Sequence, residues 1–484
     1  MSDSITFGTD GWRAVIADQF TFDTVRRVAD AIAVAARGLE PPQDVDRDTL
    51  IVGFDRRFLS REFAQSVAER LRDAGYRVLL SDRPTPSQTI SFTAHHRKVL
   101  GGVMVTASHN PARYNGIKFK AWYGGSALPE TYNAIAASLG QKQTREGGSI
   151  AEANILDDYI DGLRRHLDLD LLRRARLAIL HDPIHGAGAM IPSKVLGLDY
   201  LGARFIGMRK GAKPDATVID GIRGEVNPSF GGVNPEPIPE NLAAAQNAMM
   251  AGGYDLAICN DGDADRLGIL DERGTFVSPH KIISLLALYL VREKKLAGDI
   301  VKTFSTTRLI EKVAQALGAT LHETPIGFKY VADLMLSRDV LVGGEESGGI
   351  GFGHFMPERD GLLSGLMVAE AVAHYGRPLS QIIAGMEEEF GALHYDRRDL
   401  HRSMPQCARL IDRVRSGDLD SAFASDFAER EETDGVKLNY ADGSWILFRK
   451  SGTEPIIRIY CESVSPEGVR SMLDRAVEEL DRGV

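Results

Sequence analysis

The chain has 484 residues, of which 43% are hydrophobic, and it carries a net charge of −10 with a pI of about 5.7. This acidic balance argues against a general nucleic-acid binder, and no apolar run approaches the roughly 18 residues of a membrane span. The three cysteines are far apart, odd in number and form no CxxC pair, which argues against a disulfide framework and a cysteine-based zinc site. No signal peptide follows Met1, so we expect a cytoplasmic protein of three or four domains at roughly 150 residues each.

Predicted helices and strands alternate along most of the chain. The apolar spacing predicts helices at about 22–38, 60–75, 190–196, 239–251, 281–295, 305–317 and 361–373, and strands at about 50–54, 76–80, 99–106, 176–181, 256–260, 300–304 and 340–343. Alternation at this spacing favours mixed or parallel sheets with helices on both faces. We therefore predict three tandem, related α/β domains.

The tail has a different pattern. It predicts strands at about 392–397, 435–440, 444–450 and 456–462, with helices at about 403–416 and 466–482. Grouped strands flanked by helices indicate a separate α+β domain. The predicted domains are 1–168, 169–275, 276–388 and 389–484, with linkers near 165–172, 273–279 and 385–391.

The stretch TASHNP places Ser108 at the carboxyl end of the predicted strand at 99–106. Ligands of open α/β sheets bind beyond the carboxyl ends of strands. Neighbouring side chains seldom face each other, so Ser108 and His109 do not suit a protease-type pair, and no GxSxG elbow is present. Two interpretations remain: an ordinary polar turn, or a serine that exchanges a phosphoryl group.

The stretch NDGDADR places Asp261, Asp263 and Asp265 at alternate positions. In an extended segment these side chains would point the same way, and three carboxylates on one face need a cation. Oxygen-only ligands suit Mg²⁺. An EF-hand is the rival metal site, although the loop follows an apolar strand rather than a helix, and an acidic surface turn is the other alternative. Arg266 adds a cation for a phosphate oxygen.

The glycine-rich stretch GGEESGG carries Glu345 and Ser347 two residues apart. Glycines let the backbone approach a ligand closely. A carboxylate and a hydroxyl at this spacing can accept from and donate to vicinal hydroxyls, which suits a sugar. A flexible loop is the alternative.

The stretch RKSGTEP contains two cations, two hydroxyls and a glycine within five residues, from Arg449 to Thr453. Such a group forms a compact cradle for an oxyanion. The GxxxxGK[ST] pattern of a P-loop is absent from the sequence. An ordinary hairpin turn between two strands is the alternative.

In this order, TASHNP, DGDADR, GEESGG and RKSGTEP resemble the four signature loops of the α-D-phosphohexomutases. The opening FGTDGWR, at residues 7–13, is also similar to the N-terminal motif of that family. The resemblance extends from residue 7 to residue 460. It implies three related α/β domains and a C-terminal domain that closes as a lid over a central cleft.

The resemblance also implies roles for individual residues. Ser108 would carry a phosphoryl group, and together with Asp261, Asp263 and Asp265 it would bind Mg²⁺. The other implied positions are the basic residues Arg13, Lys118 and Arg266, the sugar-binding residues Lys329, Glu345, Ser347 and Arg359, and the phosphate-binding residues Arg449, Ser451, Gly452 and Thr453. His109 is a further catalytic candidate that could orient the phosphoserine, with a purely structural role as the alternative.

The implied reaction passes a phosphoryl group from phosphoserine to the free hydroxyl of a sugar monophosphate. A hexose 1,6-bisphosphate forms, turns over in the cleft and returns its other phosphate, so glucose 1,6-bisphosphate would act as activator and intermediate. Lys118 is the leading acid/base candidate, with a purely electrostatic role or a solvated surface lysine as alternatives. The rivals are a non-catalytic sugar-phosphate binder and a phosphatase, and a lid that excludes water favours transfer over hydrolysis.

The identity of the sugar depends on smaller differences. Gly349 stands where the GEMSGH form of phosphomannomutase/phosphoglucomutases has histidine, and His354 is the candidate to replace that histidine. TPIGFKY and GHFMPERDG resemble the TPTGWKF and DHIREKDG stretches of phosphoglucomutases, whereas the phosphoglucosamine branch usually has isoleucine where Trp12 stands. This ranks glucose phosphates first, mannose phosphates second and glucosamine phosphates third. We expect a monomer or homodimer with no nucleic-acid or membrane partner.

Overall fold

The computed structural model describes residues 5–8, 10–202, 213–424, 426–450 and 456–482. The strands in these ranges form four sheets, and helices cover them. No helix in the same ranges has the length and apolar character needed to cross a bilayer. We call the four sheets with their helices units I to IV.

Unit I is a mixed sheet. Its elements are β1 (Trp12–Val15), α1 (Phe22–Arg37), β2 (Asp46–Phe54), α2 (Ser60–Asp73), β3 (Arg77–Ser81), α3 (Ser87–His96), β4 (Val99–Val105), β5 (Tyr114–Ala121), β6 (Gly125–Ser126), α4 (Pro129–Ala137) and β7 (Ser149–Ala153). The strand order is β1-β5-β4-β2-β3-β7, with β6 beside β5. β4 is buried throughout, as expected for a strand with helices on both sides of its sheet.

Unit II has the same mixed character. Its elements are α5 (Leu156–Arg165), α6 (Leu169–Arg174), β8 (Ala178–Asp182), α7 (Ile191–Leu196), β9 (Tyr200–Gly202), β10 (Val218–Gly221), α8 (Ala243–Ala251), β11 (Leu256–Asn260), β12 (Leu267–Asp271) and β13 (Phe276–Val277). The strand order is β13-β12-β11-β8-β10-β9. β13 pairs with β12 beyond the predicted boundary at residue 275, so this short strand belongs to the second sheet.

Unit III is the smallest sheet. Its elements are α9 (Pro279–Arg292), β14 (Asp299–Thr303), α10 (Leu309–Leu317), β15 (Leu321–Thr324), α11 (Phe328–Ser337), β16 (Val340–Gly344), β17 (Ile350–Gly351), α12 (Gly361–Tyr375) and α13 (Leu379–Phe390). The strand order is β15-β14-β16-β17.

Unit IV is antiparallel throughout its described strands. Its elements are β18 (His394–His401), α14 (Met404–Ser416), β19 (Phe427–Glu431), β20 (Val436–Tyr440), β21 (Trp445–Lys450), β22 (Ile456–Ser463) and α15 (Pro466–Asp481). The strand order is β18-β22-β21-β20-β19, with α14 and α15 packed on the sheet. This confirms the predicted α+β domain, with β19 as a strand that the sequence pattern did not predict.

Three local expectations are wrong. The segment 165–172 is not a linker, because α6 begins within it at Leu169 and buries Leu172. The segment 385–391 is not a linker, because α13 continues to Phe390 and buries Ile382, Ile383 and Met386 on one face. The predicted helix at 239–251 is interrupted, because a single 3₁₀ turn at Pro239–Asn241 ends before α8 begins.

Units I to III repeat one topological feature. In each, one strand that pairs in parallel with a neighbour is followed in the chain by an antiparallel partner, as β4 by β5, β11 by β12 and β16 by β17. The stretches TASHNP, DGDADR and GEESGG are the three connections between these strands. The common pattern supports three related units, each of which carries one signature loop at the same place.

Helix α12 joins units II and III. It is buried from Gly361 to Val372 and packs against β11 and β12 of unit II, although it belongs to unit III in sequence. Asp360 caps it: the N–H groups of Leu362 and Leu363 donate to Asp360 Oδ1 at 3.0 and 2.8 Å. The Tyr159 hydroxyl of α5 donates to Asp360 Oδ2 at 2.8 Å. Burial raises the pKa of Asp360 to about 7.

This cap predicts a pH-dependent stability. The native pKa of about 7 lies above the unfolded value of about 3.9, so native stability is lost as pH rises from about 4 towards 7. Asp360→Asn keeps an oxygen for the two N–H groups but does not ionise. We expect the unfolding temperature of this variant relative to wild type to rise between pH 5 and pH 8. The exposed Asp418→Asn is the control, and a pH-independent difference for Asp360→Asn would contradict the prediction.

Candidate active site

The signature loops line one cavity of about 690 Å³ between the four units. The predicted residues on its wall are Arg13, His109, Arg266, Lys329, Glu345, Ser347, Arg359 and Arg449. Ser108, Lys118 and the three aspartates lie buried beneath them. Ser451, Gly452 and Thr453 lie outside the described residues. The structure therefore brings together residues from all four units that are far apart in sequence.

Ser108 has a constrained backbone. Its φ of +51° lies in the left-handed region, which residues other than glycine seldom adopt. Its N–H donates to Thr106 Oγ1 at 2.9 Å, and that hydroxyl donates to Asp55 Oδ2 at 2.7 Å. The Ser108 hydroxyl donates to Asp261 Oδ2 at 2.7 Å. Backbone strain of this kind concentrates at functional sites, and here it turns the serine towards the aspartate loop.

Arg57 holds the serine loop from behind. Its buried guanidinium donates to the carbonyl oxygens of Ser108 and Asn110 at 2.6 Å, and to those of Pro111 and Tyr114 at 3.0 Å. One side chain thus fixes the path of the whole loop. The sequence analysis missed Arg57, because the consecutive arginines that follow β2 look alike in sequence.

The aspartate loop is a turn and not the extended segment that we expected. It joins the antiparallel strands β11 and β12, and Ala264 inside it has a φ of +62°. The turn brings one oxygen each from Asp261, Asp263 and Asp265 within 4.8 Å of one another. All three carboxylates are fully buried, which rules out the acidic surface turn.

The arrangement of the three carboxylates fits a hard divalent cation. Burial and the like charges of Asp265 and Asp263 raise the pKa of Asp261 well above its usual value. Asp263 Oδ1 and Asp265 Oδ1 are buried and have no hydrogen-bond partner among the described residues. Buried acceptors without partners are costly, and an ion with oxygen ligands would satisfy them.

Helix α3 of unit I holds this turn. The Ser87 hydroxyl donates to Asp263 Oδ2 at 2.6 Å, and the Gln88 side chain donates to the carbonyl oxygen of Ala264 at 2.8 Å. The first residues of α3 therefore place the aspartate loop of unit II against the serine loop of unit I.

Lys118 lies on β5 and is fully buried, so a solvated surface lysine is excluded. Its ammonium is 2.9 Å from Asp10 Oδ2, 3.0 Å from Asp263 Oδ2 and 3.3 Å from Asp265 Oδ2. Burial works against the charge, but the three carboxylates outweigh burial and raise the pKa of Lys118. Lys118 is therefore an ammonium at neutral pH. Asp10 was not predicted, although it lies inside the FGTDGWR motif.

Arg359 faces the aspartates as well as the sugar loop. Its guanidinium is 2.7 Å from Asp265 Oδ2, 3.1 Å from Asp10 Oδ2 and 3.5 Å from Glu345 Oε2. The preceding Glu358 accepts hydrogen bonds from Lys120 and Ser126 of unit I. These adjacent residues thus connect unit III to units I and II.

His109 is half-buried beside two arginines. Burial, reinforced by the Arg266 and Arg13 cations, lowers the pKa of His109 well below its usual value, so the ring is neutral. Its Nδ1 lies 3.5 Å from the Ser108 hydroxyl, at the limit of a hydrogen bond. Arg266 is 2.8 Å from Glu236, a cleft residue that the sequence analysis did not identify.

Glu345 is the buried member of the sugar loop. Burial raises the pKa of Glu345 to about 7, despite the nearby Arg359. At neutral pH it can therefore accept or donate a hydrogen bond. Ser347 and Lys329 also line the cleft, and the Lys329 ammonium lies 4.8 Å from the centre of the Tyr330 ring. His354, the candidate to replace the motif histidine, is not among the described residues that line this cavity, and its ring lies 5.3 Å from the ring of His166.

Unit IV contributes a basic wall. Arg449 lies near the end of β21, and its Nε donates to Asp434 at 2.9 Å. Arg458 and Tyr460 of β22 lie on the same side of the cleft, together with Arg397 of β18. The described part of the RKSGTEP stretch therefore faces the sugar loop across the cavity. Arg397 and Arg458 were not predicted, since the sequence shows no motif around Arg397 and places Arg458 after the motif.

Models of four protein domains match this chain in order. Their descriptions are phosphoglucomutase/phosphomannomutase domain I at residues 4–146, domain II at 157–274, domain III at 278–390 and the C-terminal domain at 413–479. Together these matches cover most of the chain.

Individual proteins are similar over their whole length. A phosphoglucomutase/phosphomannomutase of Thermococcus kodakarensis is 28% identical over 487 residues, with 99% of each chain covered. A phosphoglucosamine mutase of Cereibacter sphaeroides is 30% identical, with 97% of each chain covered. A crystal structure described as a phosphomannomutase of Thermus thermophilus has a TM-score of 0.84 at 35% identity and covers 99% of this chain and 100% of its own. This chain is an enzyme of the phosphohexomutase type, and it belongs to the phosphoglucomutase/phosphomannomutase family.

Proposed function

We propose that this enzyme interconverts glucose 1-phosphate and glucose 6-phosphate through a phosphoserine at position 108 and glucose 1,6-bisphosphate. The observation that carries the proposal is the 2.7 Å hydrogen bond from the Ser108 hydroxyl to Asp261, at the edge of a buried aspartate triad. A serine in this position is beside a cation site and faces a basic cleft. Those are the requirements of phosphoryl transfer.

The chain's own residues prepare Ser108 for transfer. Arg57 and Thr106 hold the backbone of Ser108, and the Ser108 hydroxyl donates a hydrogen bond to Asp261. Asp261, Asp263, Asp265 and Ser108 would hold Mg²⁺, which when bound would offset the charge of the phosphoryl group. Positioning and charge neutralisation, more than covalent chemistry, lower the barrier to this transfer.

Lys118 is the proposed acid and electrostatic residue. Its carboxylate neighbours keep it charged, so it begins as a proton donor and not as a base. Arg13, Arg266 and His109 extend the polar surface from the serine loop into the cleft. In this proposal they orient the phosphoryl group that leaves or returns to Ser108.

The opposite wall binds the rest of the substrate. Glu345 and Ser347 meet the sugar hydroxyls, with Lys329 and Arg359 beside them, and Arg449 with Ser451, Gly452 and Thr453 holds the phosphate that does not react. The cleft lies between these two walls, so the bisphosphate can turn and present either phosphate to Ser108. Enclosure also favours transfer to the sugar over transfer to water.

Glucose is the proposed sugar because TPIGFKY resembles the corresponding phosphoglucomutase stretch, and residues 326–329 of that stretch line the cleft. Mannose phosphates and glucosamine phosphates are the second and third candidates. They are kept because similar proteins named phosphoglucomutase/phosphomannomutase and phosphoglucosamine mutase are 28% and 30% identical to this chain.

A ³¹P NMR time course tests the sugar. With Mg²⁺ and a trace of glucose 1,6-bisphosphate, we expect glucose 1-phosphate to be converted to the 6-phosphate faster than mannose 1-phosphate or glucosamine 1-phosphate. Faster conversion of mannose 1-phosphate or glucosamine 1-phosphate would make that sugar phosphate the preferred substrate in place of glucose 1-phosphate. Release of inorganic phosphate as the main product would contradict a mutase and favour a phosphatase.

Substitution of the serine tests the covalent step. Ser108→Ala removes the only atom of that side chain that can carry the phosphoryl group, so mutase activity should fall at least about 10³-fold. Ser66→Ala is the matched control, because the Ser66 hydroxyl is buried in α2 without a partner among the described residues. Intact-mass spectrometry should find one phosphoryl group on wild type and none on Ser108→Ala. Full activity of Ser108→Ala would rule out the phosphoserine.

Thermal unfolding tests the metal site without reference to activity. Mg²⁺ should raise the unfolding temperature of wild type, because a ligand that binds only the native state stabilises it. Asp265→Asn removes one of the carboxylates and should abolish most of that rise. Asp418→Asn, an exposed control, should respond like wild type. If Mg²⁺ raised the unfolding temperature of Asp265→Asn as much as that of wild type, the ion would bind at another site.

A further inference from the structure

The sugar loop contains two adjacent glutamates with different partners. Glu345 lies 3.5 Å from Arg359 of the same unit. Glu346 instead accepts a hydrogen bond from Arg397 Nη1 of unit IV at 3.1 Å. The Glu346 side chain is only 6% exposed, although it lies on the cleft wall. The loop is thus held by one arginine from its own unit and by one from unit IV, the predicted lid.

Arg397 lies on the cleft face of the lid. On β18 it is opposite Tyr460 of β22, and on β21 Arg449 is opposite Arg458 of β22. Directly opposed residues share one face of a sheet, and Arg458 and Tyr460 are two apart on β22. These four side chains therefore share a face with the proposed phosphate site. A contact that fixes the position of Arg397 therefore also fixes the position of this face of the sheet.

Other contacts also hold the lid against unit III. The N–H of Ile326 donates to Asp434 Oδ2 at 3.0 Å, and Asp434 also accepts from Arg449. Beside the cleft, an apolar cluster joins units III and IV; its buried members are Phe304, Trp445, Leu447 and Tyr460. Within the described ranges, the Arg397–Glu346 pair is the ion pair of this interface that directly joins the lid to the sugar loop.

An ion pair suits a contact that must form and break. The apolar cluster keeps the lid next to unit III, whereas a partly exposed charged pair at the cleft contributes a modest free energy and exchanges with water. Arg397 also has a second carboxylate, Asp399, at 3.0 Å on its own strand. When the contact with Glu346 opens, Arg397 therefore keeps a partner.

We propose that Arg397 and Glu346 are a positioning pair that keeps the lid closed on the bisphosphate while it turns. The inference rests on the proposed function, since only a reaction with a bound bisphosphate needs this retention. The pair sets the separation between the lid's phosphate face and the sugar loop. Without it, the cleft opens more often before the second transfer, and the bisphosphate escapes.

The test measures escape of the intermediate from the full-length enzyme with Mg²⁺. Ser108 is labelled with ³²P from labelled glucose 1,6-bisphosphate, and excess glucose 1-phosphate is added for one turnover. Free labelled bisphosphate is then separated from labelled monophosphate. We expect Arg397→Met and Glu346→Ala each to raise the escaped fraction about three- to tenfold. The double variant should show no more escape than either single variant, because both changes break one contact.

Arg398→Met is the matched control. Arg398 is the next residue of the same strand, and it pairs with Asp474 of α15 within unit IV. It should retain the bisphosphate like wild type. Glu346→Ala and Arg397→Met alter different units. The same increase in escape from both variants would therefore not be explained by misfolding of one unit.

Two outcomes would contradict the proposed role of Arg397 and Glu346. One is unchanged retention in both single variants alongside normal phosphoryl transfer, and the other is escape that multiplies in the double variant. A wild-type enzyme that transfers no phosphoryl group from Ser108 to any of the three hexose phosphates would overturn the proposed function and this inference together.

Discussion

The central constraint in this structure is the burial of three carboxylates in one turn. Asp261, Asp263 and Asp265 come from unit II, but the cations that face them come from units I and III, as Lys118 and Arg359. Buried charges without partners are strongly destabilising, so the aspartate turn depends on the presence of both neighbouring units. The same arrangement leaves acceptor oxygens of the described aspartates available for a metal ion. The site and the assembly of the first three units therefore depend on each other.

A repeated topology explains how these units can meet. In each, a strand with a parallel neighbour is followed by an antiparallel partner, and the connection between these two strands carries the signature loop. Because the three loops occupy equivalent positions, packing the sheets around a common centre brings all three together. Helix α12 reinforces this packing, since it belongs to unit III in sequence and is buried against the strands of unit II.

The lid differs from the other units in structure and in chemistry. Its antiparallel sheet presents arginines to the cleft, opposite the carboxylates of the first three units. A substrate with a phosphate at one end and a hydroxyl at the other can bridge these two walls. The division of charge suits the proposed reaction, in which one phosphate is held while the other is transferred at Ser108. It also explains how an acidic protein can bind a strongly anionic ligand.

The sequence by itself determined the class of each unit, because strand and helix periodicity is local, and it determined the chemistry of the loops, because their residues are contiguous. It did not determine the shape of the aspartate loop, where a left-handed Ala264 makes a turn instead of an extended strand. Nor could it identify Arg57, Glu358 or Arg397, whose roles depend on partners 51 or more positions away. Only the tertiary structure decided these contacts, because buried charges select their partners by proximity in the packed chain, and no local pattern records that proximity.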